Sequence, residues 1–98
     1  MTKNKPTAPI INLNGTNGKE LLEKLEGAEV CLRQAIMALG DMAPHGRDYQ
    51  VSPEGAFQLA TIEHSNRMTA LKEVLGEITD ITLNVYDQVR AREDRRAK

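Results

Sequence analysis

The chain has 98 residues, a formal net charge of -1, and only three aromatic residues, Tyr49, Phe57 and Tyr86, with no Trp. A chain this short makes one small domain, and its near-neutral balance lacks the basic footprint that duplex nucleic acid requires. Its core must come from Leu, Ile, Val, Ala and Met, which suits helix-on-helix packing. Cys31, the one cysteine, lies in an apolar helical pattern and reads as a small buried hydrophobe in a reducing compartment. No secretory signal or membrane-length apolar run is visible, so a soluble intracellular protein is expected.

Residues 1–13 are expected to be a flexible segment, with Pro6 and Pro9 and little to bury, although Ile10–Leu13 has the apolar character to lie extended against helices. Asn14-Gly15-Thr16-Asn17-Gly18 is dense in turn formers, with Thr16 or Asn17 placed to cap the helix that follows. Gly15–Lys19 is a poor match to a phosphate loop, because the glycine spacing and the hydroxyl residue after the lysine are missing. A first helix is predicted from about Lys19 to Leu39. Leu21, Leu25, Ala28, Leu32, Ala35 and Leu39 form its heptad seam. Gly27 inside this helix suggests a bulky neighbour needing room, and Gly40 a C-terminal stop.

Asp41–Val51 is longer than the ~2–8 residues usual between packed helices, so it is expected to do more than reverse the chain. Ser52 as N-cap, Pro53 and Glu54 then open a second helix. From Phe57 through Ala60, His64, Arg67, Leu71, Val74, Ile78, Ile81, Val85 and Gln88, one face is apolar apart from its polar members. No proline interrupts it before about Arg92. Gly76 and the β-branched run Ile78–Val85 weaken it locally, leaving a strand at Ile81–Val85 as a lesser alternative. Residues 14–92 thus form the helical domain and 93–98 a solvated tail.

The fold class expected is all-α: an antiparallel helical hairpin with a long second helix, assembled as a homo-oligomeric bundle. With Leu39 set opposite Phe57, the two seams match, Leu32 faces His64, and Glu29 lies beside Arg67 as an ion pair. The second helix then overhangs, leaving Ile78, Ile81, Val85 and Val89 without a mate. A self-association interface is the preferred explanation for that stripe, ahead of a break near Gly76.

Ligand-binding candidates are His45, Arg47 and Tyr49 in the loop and His64 and Arg67 on the second helix. An arginine fork beside a helix N-terminus suits an anion such as phosphate, and Tyr49 offers a ring on which a base stacks. The plainer alternatives are a loop pinned by Asp48 and Arg47, and a satisfied half-buried histidine. Pro53 and His64 are ~16 Å apart along one helix. Loop and helix groups therefore share a site only if the loop folds back, or if one subunit's loop meets another's helix. No metal or cofactor is expected, since there is no second His at i+4 and no paired cysteine. No catalytic residue is assigned: His45 with Asp48, or Glu63 with His64, are the only acid–base candidates.

At Asn12-Leu13-Asn14-Gly15, the heptad of the first helix, and Ala43-Pro44-His45-Gly46-Arg47-Asp48-Tyr49, the chain resembles small helical accessory proteins of tailed bacteriophages and prophages. The resemblance implies a non-structural phage product acting on host components, in the host bacterial cytoplasm. Phage proteins of this size are similar in design to oligomeric sponges that sequester nucleotide immune signals, a likeness of architecture that transfers no residues. The expected function is a non-enzymatic counter-defence protein, a homo-oligomer binding a nucleotide-like signal. The alternative is a protein–protein inhibitor of a host defence or replication factor, and an assembly helper is a third class. Membranes and duplex nucleic acid are not expected partners.

Overall fold

A computed structural model describes residues 5–96. Two helices pack against each other, α1 (Gly18–Gly40, 23 residues) and α2 (Ala56–Arg96, 41 residues), joined by a loop with one 3-10 turn at Gly46–Tyr49. No strand occurs among the described residues, and Ile81–Val85 is helical. None of the helices is long and apolar enough to cross a membrane. Residues 1–4 of the expected flexible segment and 97–98 of the expected tail lie outside the described residues.

Asn17 caps α1: its backbone is extended and its side-chain oxygen accepts the Glu20 N–H at 2.9 Å, satisfying one of the donors every helix start leaves open. Gly40 is not a left-handed stop, because Gly55 is the only described residue with positive φ. The helix tightens instead, with Met42 N–H donating to Leu39 O and Ala43 N–H to Gly40 O. At the second helix the expected Ser52 cap gives way to a later start. Gly55 sits at φ 86° and Ala56 N–H donates to Pro53 O, the geometry of a turn with glycine third. That backbone cannot be helical, so α2 begins at Ala56.

The register differs from the one expected. Glu29, only 6% exposed, accepts hydrogen bonds from Thr79 Oγ1 at 2.7 Å and Thr82 Oγ1 at 3.0 Å, and Arg33 stands 3.5 Å away on the next turn. Thr79 lies ~18 Å beyond Arg67 along the helix, so the Glu29–Arg67 ion pair is not formed. Heptad seams match equally well after a slip of about two repeats. In the observed register Thr79 and Thr82, three residues apart on α2, supply two hydroxyl donors to the buried carboxylate.

This shift overturns the unmated stripe. Val85 is fully buried, and Ile78, Ile81 and Val89 are half-buried within the single chain. Val85 belongs to the core of the single chain, the other three are partly covered by it, and the overhang expected to leave all four without a mate is not formed. Gly18 marks the tightest approach: a Cβ there would overlap the Val89 side chain and come within 2.9 Å of Ile11 Cδ1. Gly27, by contrast, has nothing near it.

Ile11, 6% exposed, plugs this end. Its N–H donates to Gln88 Oε1 at 2.9 Å, Gln88 Nε2 donates to Pro9 O at 2.8 Å, and an Arg92 guanidinium N–H donates to Ile11 O at 2.8 Å. Part of the 1–13 segment is therefore a strap tied across α2, while Ile10 and Leu13 point outward.

The buried stripe of α1 is also rotated toward Glu29. Leu22, Leu25, Leu32 and Ile36 flank it half-buried, whereas Ala28, Cys31 and Ala35 are exposed. Cys31 is thus not the buried hydrophobe its apolar neighbours suggested. The molecule is a rod of 69 × 27 × 22 Å with a radius of gyration of 19.8 Å, where a compact chain of this length has ~13 Å.

Candidate functional site

The loop runs back along α2 and covers its first turns. Tyr49 meets Phe57 with ring centroids 5.9 Å apart and planes tilted by 46°, a geometry that adds about 0.5–1.5 kcal/mol to simple burial. Gly46 lies over the same ring, so that a Cβ there would stand 3.9 Å from Phe57 Cε2. Phe57 is thereby covered by loop residues, and α1 ends farther along, near His64 and Arg67.

Between loop, α1 end and α2 lies a concavity of ≈ 400 Å³, within the range of small-molecule sites. Leu39, Met42, Pro44 and Ala60 give it apolar walls, and Tyr49, Glu63, His64 and Arg67 its polar groups. Three sequence candidates, Tyr49, His64 and Arg67, therefore meet in one chain, by the folding back of the loop. His45 and Arg47 do not line it; both are exposed on the 3-10 turn and its approach.

Each polar group has a distinct position. His64 is half-buried and Arg67 exposed. Among the described residues Arg67 has no ion pair, since Glu29 is spent on the two threonines and Arg33. Glu63 stands one turn from Arg67 on the same helix, so the cleft carries a cation and a carboxylate side by side. Such a set suits an anion that also presents an N–H donor, and suits a bare anion less well.

Met42 is the lining residue that sequence patterning did not single out, while Ala60 was expected on the helix seam, Glu63 only as an acid–base partner of His64, and Pro44 only as part of the loop motif. The one signal pointing to Met42 was the length of the loop, which had to go somewhere. A larger concavity of ≈ 560 Å³ at the other end of the rod places Tyr86 with Lys19 and Arg90, but Glu93 and Asp94 offset its cations. Among the described residues no three His, Cys, Asp or Glu side chains gather as a metal site. No protein-family model matches the chain, and comparison with curated proteins and with solved structures found no match.

Proposed function

We propose that the chain is a non-enzymatic binding protein of a phage or prophage, a helical homo-oligomer that sequesters a nucleotide-like immune signal in the host cytoplasm. One observation carries the ligand half of this reading: the loop brings Tyr49, His64 and Arg67 into a single apolar-walled cleft. Arg67 and His64 suit phosphate oxygens, Tyr49 a base face, and Glu63 the amino or imino donor of a base. The phage setting rests on the sequence resemblance alone.

Protein purified from cells infected by or expressing a nucleotide-producing defence system is denatured and the released small molecules are chromatographed. A bound nucleotide at near one per site supports the reading. Calorimetry with that nucleotide should lose at least about tenfold in affinity, ~1.4 kcal/mol, in Arg67→Ala and Tyr49→Ala. No released nucleotide and no heat with cyclic or linear dinucleotides would sink it.

A second reading, inhibition of a host protein, is favoured by Leu59 and Ile62. They are 58% and 59% exposed one turn apart on the outer side of α2. Capture of one host protein that is lost in Leu59→Asp/Ile62→Asp, with no nucleotide present, selects it.

A further inference from the structure

We infer that Asn14–Gly15, in the link between the strap and α1, is a self-modification site that converts to isoaspartate in the folded chain and loosens the strap. The chemistry needs only solvent. The Gly15 main-chain nitrogen attacks Asn14 Cγ and a C–N bond forms. The Cγ–Nδ2 bond breaks, and ammonia leaves with the proton that the Gly15 nitrogen carried. Water then adds to either carbonyl of the cyclic imide and opens it to aspartate or isoaspartate. In isoaspartate the main chain runs through Cβ and Cγ and is longer by one carbon. Glycine in second place favours the attack, since no side chain shields its nitrogen and its backbone turns freely. Asn12, Asn66 and Asn84 are followed instead by Leu13, Arg67 and Val85.

A second Asn-Gly pair, Asn17–Gly18, stands close by, and the fold treats the two oppositely. Asn14 and Gly15 are both exposed. Gly15 N–H reaches Asn12 O at 3.3 Å, beyond the usual hydrogen-bond length. The Asn14 carboxamide has no hydrogen bond among the described residues, so Cγ and nitrogen are both at liberty to meet. At the second pair the Asn17 carboxamide is held by Glu20 N–H at 2.9 Å and its carbonyl by Leu21 N–H at 3.0 Å. Gly18 is buried against Val89 and Ile11, so its peptide cannot rotate unless the start of α1 lifts away. Folding thus shields one pair and leaves the other open.

The extra carbon enters between two buried residues, Ile11 and Gly18. Asn12 is the centre of the turn that joins them. It accepts Asn14 N–H on Oδ1 at 3.0 Å and Gly15 N–H on its carbonyl, and its Nδ2 donates to Ile10 O at 3.3 Å. Moving Gly15 N–H one bond farther opens this turn and frees the strap at its root.

The full chain is aged in mildly alkaline buffer, with and without denaturing urea, and digested with trypsin. The peptide ending at Lys19 carries both asparagines, and electron-transfer fragmentation locates the change and separates isoaspartate from aspartate. Asn14 should convert in the native chain at close to its rate in urea. Asn17 should convert at least about tenfold more slowly in the native chain than in urea, because it reacts only from an opened helix end. Gly15→Ala should slow Asn14 alone with helicity unchanged, since the added Cβ would meet only the end of the Asn12 side chain, at 3.3 Å. Amide exchange within 8–11 should quicken in the aged chain and stay at the parent rate in Asn14→Asp, which has the charge without the extra carbon. A native chain in which Asn14 resists conversion, or in which Asn17 converts as fast, overturns the site. Conversion that leaves exchange within 8–11 unchanged, or an equal quickening in Asn14→Asp, overturns the effect on the strap.

Discussion

The two ends of the rod are built on different terms. At the strap end, Val85 is fully buried, Ile11 and Glu29 are each 6% exposed, and Gly18 lets Val89 and Ile11 close on the backbone. Polar groups there are matched partner to partner: Glu29 to two threonines, Gln88 and Arg92 to the strap backbone. At the loop end, Phe57 and Tyr49 are half-buried, Met42 and Val51 face outward, and Arg67 has no ion pair among the described residues. Order is concentrated where the helices meet, and access where the loop lies. Stable and binding regions separate in this way whenever the site needs surfaces that folding has left unsatisfied.

The contrast is broken most strongly at Val85. Val85→Ala removes buried methyl groups from the best-packed point and should cost about 2–3 kcal/mol, read as a lower midpoint in urea at unchanged slope. Gln88→Ala strikes the same end less hard. Ile11 N–H and Pro9 O lose their partner but lie near water, so the cost should be ~1 kcal/mol. Its sharper signature is faster protease cleavage and amide exchange within 5–11, while exchange in α1 is unchanged. Tyr49→Ala, at the loop end, should cost about 1–2 kcal/mol, the ring pair together with part of its burial, and remove the ring from the cleft. If Tyr49→Ala proved as costly as Val85→Ala, the division between the ends would be wrong.

How much of this was legible in the sequence depends on what each feature rests on. The two helices follow from periodicity, and α1 was placed to within a residue at either end because Asn17 and its turn-rich neighbours mark a start. The late start of α2 was hidden, since only Gly55's positive φ separates a helical Ser-Pro-Glu opening from a turn. Register was hidden for a deeper reason. Repeating leucines say that two faces match without saying by how many turns they are offset, and the polar residue that decides, Glu29, was assigned to the nearer cation. Setting Leu39 opposite Phe57 gave both that pairing and the stripe after Gly76 as an interface, whereas Cys31 was read as a core residue from its apolar neighbours alone. The site was partly visible: Tyr49, His64 and Arg67 were chosen by chemistry, and the excessive length of the loop already required it to lie along something.

Glu29 offers the finest test of the contrast. A buried carboxylate with two hydroxyl donors contributes little net energy, because desolvation offsets what the hydrogen bonds return. Thr82 already shares its hydroxyl with Ile78 O at 2.9 Å, and Thr79 has a carbonyl one turn back, so neither is stranded when the acid is removed. Glu29→Leu should therefore change the unfolding free energy by less than about 1 kcal/mol, in either direction. Its effect should fall on uniqueness. With leucine in that place the heptads match at more than one offset, and the slipped pairing becomes competitive. Amide spectra should then show doubled resonances along α1 and in the loop, whose path depends on where α1 ends, and the cleft should be formed in only part of the population. A single set of resonances in Glu29→Leu, with the cleft intact, would mean that the strap and the fit of Gly18 against Val89 set the register without it.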